Sequence, residues 1–177
     1  MARAVPLRLS LVLYVLLWLV GHAPAAAAVE IAFYSRDMGG SHFPHAFVRV
    51  SGTLDATGEA VDATYGFTAR RITPGLLLGS VSGEVISEDP QQVTRSARQF
   101  ALTLSDSHYR DVLTAVDRWR TRRQPSYNLD RRNCVHFVAD LARAAGLQVE
   151  GTGRLMKRPR AFLEQVARLN PALINRR

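Results

Sequence analysis

Tyr127-Asn128-Leu129-Asp130-Arg131-Arg132-Asn133-Cys134-Val135-His136-Phe137-Val138 reads as a polar turn running into the first turn of an amphipathic helix, and it holds the only cysteine of the chain. From about Asn133 onward, Cys134, Phe137, Val138, Leu141 and Ala145 recur at helical spacing on one face, and Gly146 supplies the stop. A lone cysteine cannot form an intrachain disulfide, so its uses reduce to chemistry, an intermolecular bridge or packing as a small hydrophobe. Its place at a helix start favours chemistry. Free N–H groups and the positive dipole end of a helix stabilise a thiolate, whereas a packing cysteine belongs deep in an apolar run.

The two ends of the chain bound the problem. Arg3 and Arg8 form a charged start, residues 9–20 are apolar apart from Ser10, and residues 23–28 supply small side chains. That core is too short to span a bilayer comfortably, and Ala26 to Ala28 forms an Ala-x-Ala site, so residues 1–28 are expected to be a cleaved signal peptide. No cysteine lies there to carry a lipid, and the protein is expected to be periplasmic or secreted. Residues 29–177 then form a single domain large enough for a real core. The formal charge of +8 includes Arg3 and Arg8, leaving about +6 on that domain, nearly all arginine, with Lys157 the only lysine. Such a charge implies a weak attraction to anionic surfaces. Export argues against a nucleic-acid partner.

No repeat, low-complexity linker or domain boundary interrupts residues 29–177. Residues 30–34, 45–50, 61–67, 82–87 and 98–104 have strand composition, with a hairpin loop over 53–59 and a turn at Thr73-Pro74-Gly75. Helix takes over after Ser105, a good N-cap, where Tyr109, Val112, Leu113, Val116 and Trp119 form one stripe. A last helix over 159–169 begins at Pro159 and carries Phe162, Leu163, Val166 and Leu169. Strands first and helices after predict an α+β domain, an antiparallel sheet with helices packed on one side.

A nucleophilic thiol needs a base within hydrogen-bond reach. Of the five histidines, His22 leaves with the signal and His108 lies exposed near a helix start. His136 sits two residues after Cys134, about 200° round the helix, and so turns away to a loop or cap. His42 and His45 remain, and His45 is favoured because it opens a strand, which holds a ring more firmly than the Gly/Ser segment around His42. His42, His45 and Asp37 could in principle ligate a metal, but three such residues in a loop more often do not, and neither metal nor cofactor is expected. No glycine-rich phosphate loop or serine elbow competes.

The strand His45-Ala46-Phe47-Val48-Arg49-Val50, followed by a hairpin and later by Asn133-Cys134-Val135-His136-Phe137-Val138, resembles the circularly permuted papain-like thiol hydrolases. These include the lecithin:retinol acyltransferase-like proteins and relatives of NlpC-type cell-wall peptidases, in which histidine precedes cysteine. The resemblance covers roughly residues 30–147. It implies a permuted papain-like fold, Cys134 as nucleophile, His45 as general base and the backbone N–H of Cys134 as an oxyanion donor. Its usual third member, a histidine or asparagine on the next strand, is missing from residues 59–68. Pairing Val50 with Val61 sets His45 opposite Gly66 and makes Thr64 the nearest polar neighbour, so Thr64 is the expected orienter. A one-residue slip would select Tyr65, and a main-chain carbonyl is a further alternative.

These features give an exported cysteine-dependent hydrolase or acyltransferase that attacks an amide or ester through a thioester. A cell-wall peptide and a lipid are the two substrate expectations. The rival is an inactive periplasmic binding domain of the same fold, holding an anionic ligand in a basic cleft. N-terminal sequencing of exported protein is expected to begin at or next to Val29. Recovery of intact Met1 from the membrane fraction would overturn the cleaved signal.

Overall fold

The computed structural model describes residues 28–37, 39, 43–151 and 153–174. Residues 1–27 of the expected signal and His42 lie outside them. Five strands, β1 (Val29–Arg36), β2 (His45–Thr53), β3 (Ala60–Ala69), β4 (Gly83–Ile86) and β5 (Ala97–Leu104), form one antiparallel sheet in the order β4-β3-β2-β1-β5. Alternation decides which face is core. Ile31 and Phe33 on β1, Ala46, Val48 and Val50 on β2, and Phe100, Leu102 and Leu104 on β5 are all buried in one cluster. Phe33 lies opposite Phe100 with the rings stacked 4.7 Å apart.

Two short helices, α1 (Gly75–Leu78) and α2 (Pro90–Thr94), interrupt the strand region. The first replaces the expected simple turn. The second is begun by Asp89, whose side chain accepts the Gln91 N–H, with proline in the first turn. Then follow α3 (Asp106–Arg120), α4 (Cys134–Ala144), a 3₁₀ turn over Leu155–Lys157 and α5 (Pro159–Leu169). Ser105 caps α3 by accepting the His108 N–H. Gly146, at φ +85°, follows α4 in the left-handed conformation that glycine adopts without strain. The three longer helices pack on one side of the sheet, α4 against β2 and β3, α5 against β1 and β5, and α3 against α4 and β4. The architecture is the α+β arrangement expected from the sequence.

The hinge between sheet and helices is aromatic. Phe67, fully buried on β3, meets the Trp119 ring edge-on at 4.7 Å, Tyr127 at 5.5 Å and Phe137 at 6.2 Å. Trp119 Nε1 donates to Asp140 Oδ2 at 3.0 Å, joining α3 to α4. The arginines closing α3 have seats of their own, since Arg122 stacks over Trp119 and Arg120 over Tyr65.

The β2–β3 register corrects the expected one. Val50 pairs with Ala63 and Gly52 with Val61, a shift of two residues. The strands run further into the turn than expected, to Thr53 opposite Ala60, and the hairpin closes through Leu54 N–H to Glu59 O. A two-residue shift keeps every side chain on its face but places Gly66 opposite Phe47 instead of His45.

Phe67→Ala is expected to cost about 3–5 kcal/mol, because it opens a cavity at the contact of sheet and helices. Urea unfolding measures it, and a loss below about 1 kcal/mol would mean that the cluster collapses around the gap.

Candidate active site

Asn133 sets the helix that carries the thiol. Its extended backbone and short amide make it the N-cap of α4, where Oδ1 accepts the N–H groups of Val135 at 2.9 Å and His136 at 3.3 Å. Its Nδ2 donates to the carbonyls of Leu129 at 2.8 Å and Met156 at 2.7 Å. The polar turn, the helix start and the 3₁₀ turn are thereby tied at one side chain. His136 completes the cap. Its Nδ1 lies 2.9 Å from Asn133 Oδ1 and 3.4 Å from Asn133 N, so the ring points to the cap and not to the thiol. Burial holds the His136 pKa below its ordinary value, a shift that Asp140 opposes and Arg143 reinforces. With Val135 and His136 bound by the cap, the N–H of Cys134 takes part in none of the described hydrogen bonds and lies in the first turn, at the positive end of the helix.

Cys134 is 5% exposed, more enclosed than its helix-start position suggests, and forms part of the floor of an open cleft. His45, the first residue of β2, lines the same cleft, close enough to Cys134 for the two to influence each other's charge. Its Nε2 lies 2.9 Å from Glu88 Oε1. With Nε2 engaged by the carboxylate, Nδ1 is the ring nitrogen left for other partners. Burial works against a charged ring, but the hydrogen bonds to Cys134 and Glu88, with the charges of both, outweigh it and push the His45 pKa up to about 9. Against the ordinary 6.5, that favours the imidazolium in the folded protein. The resulting stabilisation is complete below pH 6.5 and is lost as the pH rises through about 9.

Thr64 is not the group that orients His45. Its Oγ1 accepts the backbone N–H of Glu88 at 2.8 Å, so it holds the residue that does the orienting. The β3–β4 register explains this. Gly66 pairs with Ile86, and two residues further on Glu88 comes level with Thr64. By the same pleat His45 comes level with Thr68, which leaves Gly66 between the histidine and the glutamate. A Cβ on Gly66 would run into Glu88 Oε1 and come within 2.9 Å of His45 Nε2. The ion pair therefore forms across the one position on β3 without a side chain. Tyr65, the residue a slipped register would have chosen, instead sits under Arg120.

The cleft has a volume of about 650 Å³. Its walls are mainly apolar, with Phe43, Ile72, Leu76, Leu77, Leu129 and Met156 around the Cys134–His45 pair. Ile72, Leu77 and Leu78 are largely exposed at or beside its rim. Burial pushes the Tyr127 phenol well above its ordinary value, and charge on Cys134 acts in the same direction, so it lines the cleft as a protonated O–H. Among the described residues, no group of three His, Cys, Asp or Glu side chains is placed to hold a metal ion. Asp37, considered above as a ligand, pairs with Arg160 at 2.5 Å.

No protein-family model matches the chain, and no curated protein sequence does. The crystal structure of TseH, a type VI secretion system effector, superposes on it with a TM-score of 0.53 at 19% identity, covering 85% of this chain and 91% of TseH. At that identity the likeness is one of fold, and it is consistent with the papain-like arrangement.

Gly66→Ala is expected to push His45 and Glu88 apart while the sheet survives, because alanine suits the backbone of a strand. Iodoacetamide labelling of Cys134 at pH 6 should fall by about tenfold, the loss of one charge-assisted hydrogen bond. Labelling at the wild-type rate, with unchanged circular dichroism, would show that the pair does not depend on the gap.

Proposed function

We propose that the protein is an exported cysteine-dependent hydrolase that cleaves an amide or ester bond through Cys134, His45 and Glu88. The observation that carries this reading is the His45 ring, 2.9 Å from the Glu88 carboxylate and in the cleft that Cys134 also lines. That is the order of groups a thiol nucleophile needs: nucleophile, base and a third group that fixes the base.

The reaction starts from the pair with the proton on His45 and the sulfur free to attack as a thiolate. The thiolate attacks the carbonyl carbon and the C=O π pair moves to oxygen, which develops negative charge beside the N–H of Cys134. As the tetrahedral centre collapses, the bond to the leaving nitrogen or oxygen breaks and the His45 imidazolium gives that atom its proton. A thioester on Cys134 remains. Neutral His45 then takes a proton from a water or an acceptor amine, which attacks the thioester, expels the thiolate and restores the ion pair. Glu88 keeps Nε2 engaged and so fixes the ring. The apolar walls of the cleft favour a substrate with an apolar group beside the scissile carbonyl, whether an acyl ester or a peptide. Export rests on the charged start, short apolar core and alanine-rich end of residues 1–28.

Cys134→Ser is expected to abolish labelling and turnover with the fold intact, since serine is close to cysteine in size and its hydroxyl does not ionise near neutral pH. His45→Ala should slow iodoacetamide labelling at pH 6 by an order of magnitude or more, and Glu88→Gln by a smaller factor in the same direction. Both gaps should close above about pH 9, where wild-type His45 sheds its proton and an unassisted thiol, with its ordinary pKa of about 8.5, ionises without help. Wild-type protein should also lose stability relative to Glu88→Gln as the pH rises from 6.5 through about 9. Superimposable labelling profiles for wild type and His45→Ala would remove His45 from the mechanism and favour a binding domain that lacks chemistry.

A further inference from the structure

Arg36 ends β1 directly across from His45, the cross-strand partner whose side chain shares its face of the sheet. It lines the cleft together with His45 and Cys134, and it forms the wall between that cleft and a second cavity of about 360 Å³. Its guanidinium is incompletely satisfied. Nη1 donates to Gln92 Oε1 at 2.6 Å, while Nε is buried and finds no acceptor among the described residues. No carboxylate pairs with it in any described salt bridge. The acids that line the same two cavities are otherwise engaged, Glu88 by His45 and Asp37 by Arg160. A buried guanidinium N–H without an acceptor is costly, and a bound anion is one of the few things that accounts for such a group in a native structure. The planar fork of arginine matches the two oxygens of a carboxylate or phosphate.

We propose that Arg36 is a specificity-determining residue of the cleft, binding a carboxylate or phosphate group that the substrate carries close to its scissile carbonyl. The inference rests on the hydrolase reading and narrows its substrate class: the bond attacked belongs to a molecule with an apolar part and an anionic group beside the reacting carbon. Gln92 fixes the guanidinium from one corner, leaving the rest of the fork for the ligand. Arg95, in the second cavity, adds positive potential without facing the thiol.

Iodoacetate and iodoacetamide test this without a known substrate. Both alkylate by the same step: the thiolate attacks the methylene carbon, an S–C bond forms, the C–I bond breaks and iodide leaves. They differ in that iodoacetate carries a carboxylate on that carbon. The readout is the ratio of the two second-order rates on Cys134 at pH 7, for wild type, Arg36→Gln, Arg36→Lys and Arg95→Gln. The iodoacetate-to-iodoacetamide ratio should fall about tenfold in Arg36→Gln and by less in Arg36→Lys, which keeps the charge but loses the fork. Arg95→Gln should keep the wild-type ratio. An unchanged ratio in Arg36→Gln, or an equal fall in Arg95→Gln, would overturn the proposal, the second by showing a diffuse field in place of a site. Slow iodoacetamide labelling of wild type at pH 6 is a separate result: it defeats the hydrolase reading, while the ratio still reports whether Arg36 binds the anion.

Discussion

The site depends on one side chain making four hydrogen bonds to the backbone. Asn133 takes two N–H groups of α4 and gives its own amide protons to two carbonyls from different segments. Each partner is a backbone group that would otherwise be unpaired at the edge of the core, so the four bonds reinforce one another and fix where the helix begins. The first residue after the cap then has no freedom of position. That residue is Cys134, and its sulfur has to lie where the first turn of α4 meets the end of β2. Helix capping and placement of the thiol are the same event.

The second constraint is electrostatic. A ring as enclosed as His45, 9% exposed, would ordinarily be neutral, because burial penalises charge. Here a thiol and a carboxylate flank it and reverse the balance, which requires both to be close and the ring to be held between them. Gly66 meets that requirement by leaving space, and Thr64 by fixing the backbone of Glu88. The thiol is itself enclosed, so packing and reactivity do not compete at Cys134. Its surroundings supply a charged partner within an otherwise apolar wall, where water screens the pair weakly.

Much of this was legible in the residues. Period-two alternation in β1, β2 and β5, and the stripes of α3, α4 and α5, follow from hydrophobic spacing that the core then uses. Ser105 and Gly146 mark helix ends by chemistry visible in a single residue. His45 and Cys134 were recognisable as candidates because each opens an element. Glu88 was not, for a physical reason: it lies 43 residues from His45, past the end of a four-residue strand, and only the combined registers of two strand pairs bring it near. The one local signal was an acidic run before Pro90, which reads equally well as the start of α2, and Asp89 does serve there. Thr64 was chosen on a register two residues out, set by a hairpin whose strands extend further into the turn than its composition suggests. The enclosure of Cys134 depends on the cleft walls from α1 and the 3₁₀ turn, neither of which has a strong sequence signal.

His45 and Glu88 are carried by the sheet side of the molecule and Cys134 by a helix, so the Cys134–His45 pair straddles the joint between two layers. What holds that joint is the aromatic packing of Phe67 with Trp119 and Phe137, together with the Asn133 cap. A small slide of α4 across the sheet would leave every strand and helix intact and yet separate sulfur from imidazole, since a hydrogen bond tolerates only fractions of an ångström. Chemistry in such an arrangement is a more sensitive gauge of layer docking than secondary structure is.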